Sequence, residues 1–183
     1  MARDGELYKQ TSFSTRNTSN PTLLPRNISK RHCLRELHVT TGVIDYSTMQ
    51  RFLDTNRISQ RNQERNDCVV ITTAIATGQP YGRVLELFAK EGRKRRRGVA
   101  PLIAFRVLRT LGYGLHVMYE SSPAIKLPTA GRLILPRVGT YIVQTATHWY
   151  AVVDGQIEDN YAIQHPRIRV QKVWRVVSLT KGD

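Results

Sequence analysis

The stretch QERNDCVVITTAIATG, residues 63–78, decides how this chain is organised, because it leads a polar loop into an apolar helix. Asp67 is a residue type that caps helix N-termini, and the apolar run after it predicts a helix that ends at Gly78. Cys68 therefore lies in the first turn of that helix. A helix N-terminus offers unpaired N–H groups and the positive end of the helix dipole, which both stabilise a thiolate. A reactive thiol is the first functional hypothesis, against the commoner case of a small buried cysteine.

Further helices are predicted on both sides of this segment. Apolar residues at helical spacing predict one helix over residues 80–92 and another over 99–111. Upstream, a short helix is predicted near residues 29–38, and a second begins at residue 45 or 47. The polar residues 57–66 are predicted to form a loop that enters the main domain.

The second half of the chain is rich in strand-forming residues. Asp154-Gly155 is a strong signal for a hairpin turn, because both central positions of that turn need positive φ. Helices followed by antiparallel strands predict an α+β fold, in which an N-terminal helical half packs on a C-terminal antiparallel β-sheet. The strands are predicted over residues 115–119, 140–146, 148–153, 156–161 and 173–179.

The chain has 183 residues, 40% of them hydrophobic, which is enough for one domain with an appendage. Residues 1–60 are predicted to form an extended polar arm with short helices, and residues 61–183 to form the folded domain. Cys33 and Cys68 have no paired spacing, so neither a disulfide framework nor a zinc site is indicated, and no cofactor or metal is expected. No apolar run has the form of a signal peptide or a membrane span.

The charge of the chain is strongly basic. Twenty-eight Lys and Arg against 14 Asp and Glu give a formal net charge of +14, so the surface attracts polyanions at low ionic strength. The run RKRRR lies between two predicted helices and is either a solvated loop or a phosphate contact. Without a zinc-finger, RNA-binding or phosphate-loop motif, any nucleic-acid binding is expected to be independent of base sequence. The predicted polyanion contacts are Arg93, Lys94, Arg95, Arg96 and Arg97.

Strand parity brings a base and a carboxylate together. His148 opens a predicted strand against which the helix of Cys68 can pack, and an imidazole is a base that activates a thiol. With a two-residue hairpin turn, Asp159 lies diagonal to His148 on the same face of the sheet. It would then orient the imidazole, as the third member of a triad does. A bulge or a three-residue turn would place Asn160 on that face instead.

Two residues in the loop before Cys68, Gln63 and Asp67, also bear on the predicted site. Gln63 lies a few residues upstream, where its side-chain amide can join the backbone N–H of Cys68 in binding an oxyanion. Asp67 complicates the site, because a carboxylate opposes ionisation of a neighbouring thiol unless capping of the helix consumes it.

The segments QERNDCVV and THWYAVVDGQIEDN resemble those of papain-like cysteine peptidases, and most of all the short bacteriocin-processing type found in bacteria and tailed bacteriophages. The resemblance covers about residues 63–179. It implies a papain-like fold, with the cysteine at a helix N-terminus and the histidine on a strand. The implied catalytic residues are Gln63, Cys68, His148 and Asp159.

Two classes of function stay open. The first is a cysteine hydrolase of bacteriophage or bacterial origin that cleaves a peptide or isopeptide bond in a peptide or protein substrate; a toxin or effector would use the same chemistry. The second is a papain-like domain without catalysis, used as a structural or DNA-contacting component of a phage particle, which the basic charge and the arm favour. The expected location is the host cytoplasm or the virion, where the arm would contact a viral assembly.

Overall fold

The computed structural model describes residues 49–179, and among them four helices precede a five-stranded antiparallel sheet. This order confirms the predicted α+β class. The helices are α1 (Gln50–Arg61), α2 (Cys68–Thr77), α3 (Tyr81–Lys90) and α4 (Pro101–Thr110). The strands are β1 (Tyr113–Glu120), β2 (Thr140–Thr145), β3 (Trp149–Val153), β4 (Gln156–Glu158) and β5 (Val170–Ser178), with the short helix α5 (Asn160–Gln164) between β4 and β5.

The helix α1 is longer than its sequence pattern indicates. The prediction of a loop over residues 57–66 is wrong in its first half, because α1 continues to Arg61. Phe52 is buried in the core near one end of the helix, and Ser59 is buried near the other, where its hydroxyl donates a hydrogen bond to Asp67. The helix α1 therefore packs against the other described elements. The helix predicted near residues 29–38 and the arm up to residue 48 lie outside the described residues.

The strands are ordered β1-β5-β2-β3-β4 across the sheet. The hairpin between β3 and β4 has the predicted register, with Val153 opposite Gln156. Asp154 and Gly155 form its two-residue turn, and both have positive φ, at 49° and 81°. This register is the one from which the position of Asp159 was derived.

The strand predicted over residues 156–161 is wrong in its last part. β4 ends at Glu158, and α5 begins two residues later at Asn160. The physical cause is the side chain of Asp159, whose Oδ1 accepts a hydrogen bond from the amide of Ala162 at 2.7 Å. Such a bond satisfies one of the free N–H groups at a helix N-terminus, so the chain turns into a helix here.

The sheet carries an apolar layer on each face, because side chains alternate along its strands. On one face, β3 packs against the buried side chains of α2, α3 and α4. On the other face, β3 packs with the segment before β2 and with α5. The β3 residues of the first layer are Trp149, Ala151 and Val153, and those of the second are Tyr150 and Val152.

The helix α2 is the centre of the helical layer. All its residues from Val69 to Thr77 are buried. The hydroxyl of Thr72 donates a hydrogen bond to the backbone carbonyl of Trp149 at 3.0 Å. This bond holds α2 against the start of β3, one residue after His148.

We expect the replacement Gly78→Ala to lower the free energy of unfolding by about 1 kcal/mol, because Gly78 ends α2 in the left-handed region with φ 65°. An added Cβ would meet no atom within 4 Å, so the cost is conformational. Gly82→Ala is the matched control: Gly82 lies inside α3 and is equally open, so its replacement should leave stability unchanged or raise it. Urea denaturation of both variants measures the difference, and equal losses would contradict the expectation.

Candidate active site

Cys68 and His148 line one groove with a volume of about 660 Å³. Its first wall is formed by α1, the loop before α2 and residues 98–101, and its second by residues 144–149 together with Asp159 and Tyr161. Cys68 is half-buried and forms no disulfide. As the first residue of α2, it lies where backbone N–H groups have no partner inside the helix. The thiol therefore lies beside backbone donors that suit an anion.

Asp67 occupies the N-cap position of α2 without capping it through its side chain. Its buried Oδ2 instead accepts hydrogen bonds from the hydroxyls of Ser59 and Tyr81, both at 2.6 Å. Burial raises the pKa of Tyr81 far above its ordinary value, and the hydrogen bond to Asp67 raises it further, so this phenol stays a donor. The carboxylate beside Cys68 is thus engaged in hydrogen bonds. Its donors are hydroxyls on α1 and α3 and not the backbone amides of α2.

His148 and Asp159 form a hydrogen-bonded pair. Nε2 of His148 lies 2.9 Å from Oδ2 of Asp159, and their side chains are 16% and 5% exposed. The other oxygen of Asp159 accepts from the amide of Ala162, so both carboxylate oxygens are held. Asn160 is the first residue of α5 and takes no part in this pair. Of the two candidates for the third position, the structure brings Asp159 to the imidazole.

The imidazole of His148 has Asp159 on one side and Cys68 on the other. Burial lowers the pKa of His148, but hydrogen bonds to Asp159 and to Cys68 and the charges of both groups raise it to about 9. Because Asp159 occupies Nε2, the nitrogen left for the sulfur is Nδ1. The imidazole therefore stays protonated at neutral pH.

Two further rings lie in a row beside His148, each tilted against the next. The ring of Tyr161 lies 4.8 Å from that of His148, and the ring of His165 lies 4.2 Å from that of Tyr161, as centroid distances. Nδ1 of His165 is also 2.9 Å from the carbonyl oxygen of Tyr161. These contacts depend on α5, which replaces the end of the strand predicted over residues 156–161. Tyr161 therefore contacts both histidine rings.

Gln63 does not line the groove, so it is not placed to act as the predicted oxyanion donor. Its Oε1 and its carbonyl oxygen accept hydrogen bonds from the guanidinium of Arg96, at 3.1 Å and 3.0 Å. Its backbone is left-handed, with φ 53°, and it lines a separate surface depression. The side chain is therefore turned outward to Arg96 instead of inward to Cys68.

Two asparagines that the sequence reasoning passed over line the groove instead. Asn66 lies two residues before Cys68, and Asn56 lies one helical turn after the buried Phe52 on α1. Both carry an amide that can donate to an oxyanion. The position of Asn66 was readable from the sequence, whereas that of Asn56 depends on how α1 packs against α2.

The basic loop, residues 93–97, divides into one buried and four exposed residues. Arg93 is buried, and its Nη2 lies 2.9 Å from Oε2 of Glu64, so the prediction that Arg93 contacts a polyanion is wrong. Burial raises the pKa of Glu64, but hydrogen bonds from Arg96 and Arg93 and the charges of Arg93 and Arg95 bring the pKa below its ordinary value. The exposed residues that keep the predicted role open are Lys94, Arg95, Arg96 and Arg97.

Residues 49–179 contain no group of three His, Cys, Asp or Glu side chains that could hold a metal ion. Over the same residues, no helix is both long enough and apolar enough to cross a membrane. Comparisons of the chain with protein-family models, with curated proteins and with solved structures find no match. The residues of the groove are therefore what indicates a function.

Proposed function

We propose that the chain is a papain-like cysteine hydrolase that cleaves a peptide or isopeptide bond. The observation that carries this proposal is the hydrogen-bonded pair of His148 and Asp159 in one groove with Cys68 at a helix N-terminus. A thiol, a base and a group that orients the base are the parts that nucleophilic catalysis by cysteine requires.

In the first half of the reaction, Sγ of Cys68 attacks the carbonyl carbon of the scissile bond as the thiolate, while its proton is already held on Nδ1 of His148. The negative charge on the carbonyl oxygen is stabilised by the backbone N–H of Cys68 and by the side-chain amide of Asn56 or Asn66. The imidazolium of His148 then gives its proton to the leaving nitrogen as the carbon–nitrogen bond breaks. An acyl thioester on Cys68 and a free amine result.

In the second half, Nδ1 of His148 takes a proton from water, whose oxygen attacks the thioester carbon. The sulfur leaves as thiolate, and the carboxylic acid product departs. Asp159 keeps Nε2 protonated throughout, because its carboxylate accepts from that nitrogen at 2.9 Å. The groove thereby returns to its starting state without any cofactor.

The alternative function, a papain-like component of a phage particle that contacts DNA without catalysis, is favoured by the exposed Lys94 and Arg97. This function would give salt-sensitive binding of duplex DNA that survives Cys68→Ala. Catalysis by Cys68 would be lost in the same variant, so the two functions are separable.

The test is the rate at which iodoacetamide alkylates Cys68 as a function of pH, in a Cys33→Ser background that leaves a single thiol. We expect fast alkylation well below the ordinary thiol pKa of about 8.5. A second inflection is expected near pH 9, where His148 loses its proton. His148→Ala should slow the reaction at pH 6.5 by tenfold or more. Identical profiles for the two proteins, with a midpoint near 8.5, would contradict the proposal.

A further inference from the structure

We propose that the groove selects acidic peptide segments through a basic rim formed by the exposed residues Arg65, Lys94 and Arg97. This inference rests on the proposed function, because it assigns the substrate class of the same groove.

The basic rim adjoins the groove through its backbone. The basic loop leads directly into Gly98 and Val99, which line the groove. On the other side, Nδ2 of Asn66, another lining residue, donates to the carbonyl oxygen of Arg96 at 3.4 Å. The rim therefore borders the wall of the groove that carries Cys68.

The basic loop is also fixed in shape. It turns tightly at Arg96, with φ 60°, and the amide of Arg97 donates to the carbonyl oxygen of Lys94 at 3.1 Å. A side-chain nitrogen of Arg95 donates to the carbonyl oxygen of Asn62 at 3.1 Å. The backbone of the turn is thus held against the loop that leads to Cys68.

The carboxylates near the basic rim leave its positive charge in excess. The side chain of Glu64 is 4% exposed and accepts hydrogen bonds from Arg93 and from the amide of Arg96. Asp67 and Asp159 line the groove, but both are buried and their carboxylates are hydrogen-bonded inside the protein. An acidic side chain of a bound peptide would meet an unbalanced positive field at this end of the groove.

A peptide suits this arrangement better than a nucleic acid does. The volume of about 660 Å³ is typical of a pocket for a small ligand, and it accommodates a few residues of extended peptide. A nucleic-acid duplex would touch the rim from outside without entering the groove, so nothing would couple its binding to Cys68. A peptide lying in the groove contacts the rim and the thiol together.

The experiment uses two peptidyl chloromethyl ketones, acetyl-Glu-Glu-Gly and acetyl-Lys-Lys-Gly, that alkylate Cys68 in the full-length Cys33→Ser chain. We expect the Glu probe to react at least fivefold faster than the Lys probe in 20 mM salt, and the ratio to approach one in 0.5 M NaCl, as charge selection requires. The double variant Lys94→Glu, Arg97→Glu should lower the ratio to one or below. The control Arg83→Glu, Arg109→Glu changes the net charge equally on the exposed surfaces of α3 and α4 and should keep the ratio.

The inference would be overturned if the protein with the unchanged rim reacted with the Glu and Lys probes at nearly equal rates in 20 mM salt. It would also be overturned if the control variant lowered the rate ratio as much as the double variant does. A third outcome would also overturn the inference. In it, a 20-base-pair DNA duplex abolishes the preference for the Glu probe, whereas the double variant without DNA keeps that preference. Neutral iodoacetamide separates this failure from failure of the proposed function, because its pH profile reports activation of the thiol and is indifferent to peptide charge. The charge ratio is measurable at pH 8.5 even with an ordinary thiol.

Discussion

Replacement of Asp159 by alanine is expected to lower turnover by a factor of about 10² to 10⁴, the range that loss of a positioned acid–base system covers. The carboxylate orients the imidazole through the 2.9 Å bond to Nε2, and without it the proton no longer stays on that nitrogen. The variant also loses the cap of α5, at a cost of about 1 kcal/mol in the free energy of unfolding. The rate of peptide cleavage and thermal unfolding measure the two effects.

Asp159→Asn is the matched control for this prediction. An amide oxygen can still cap α5, so stability should stay near that of the unchanged protein. The asparagine side chain carries no charge, so the inflection that His148 gives in the pH profile of alkylation should move from about 9 to lower pH. If the unchanged protein and Asp159→Asn had the same pH profile of alkylation, Asp159 would not act on the imidazole.

The raised pKa of His148 also makes stability depend on pH. Because the folded value of about 9 exceeds the ordinary value of about 6.5, the stabilisation is fully present below pH 6.5 and is lost as the pH rises through 9. The Asp159→Ala variant should lose most of this dependence.

Replacement of Arg93 by alanine is expected to lower the free energy of unfolding by about 3 kcal/mol. Its partner Glu64 has a side chain that is 4% exposed, and removal of Arg93 would leave that carboxylate buried with less compensation. The nearby Nε of Arg95, 3.7 Å from Glu64, keeps the loss at the lower end of the range for broken buried pairs. Urea denaturation at pH 7 measures the change.

Lys94→Ala is the control for the buried pair, because Lys94 is exposed in the same loop and should change stability by no more than about 0.5 kcal/mol. The lowered pKa of Glu64 adds a pH signature. A depressed carboxylate pKa stabilises the fold above its ordinary value of 4.5 and loses that effect as the pH falls through the folded value. Equal losses for Arg93→Ala and Lys94→Ala would contradict the assignment of Arg93 to the core.

The local parts of the site were readable from the sequence, and the long-range parts were not. The N-terminus of α2 follows from its apolar run, and the position of Asp159 follows from the turn at Asp154-Gly155. Both depend on residues close together in the chain. Their joint arrangement with His148 then follows from α2 packing on β3.

Gln63 and Arg93 were misjudged for a shared reason. Each is held by a partner about thirty residues away, Gln63 by Arg96 and Arg93 by Glu64. A run such as RKRRR gives no sign of which arginine is buried, because the five positions are chemically alike and the partner carboxylate lies in another loop. The burial of Asp67 by two hydroxyls from other helices was hidden in the same way.

The double use of Asp159 links two parts of the molecule that otherwise have little in common. One oxygen holds the imidazole and the other holds the amide of Ala162, so fraying of α5 frees the carboxylate to rotate away from His148. The ring of Tyr161 would leave the imidazole in the same motion, since it belongs to the same helix. Under the proposed function, the orientation of the base His148 would therefore depend on the integrity of a helix of only five residues.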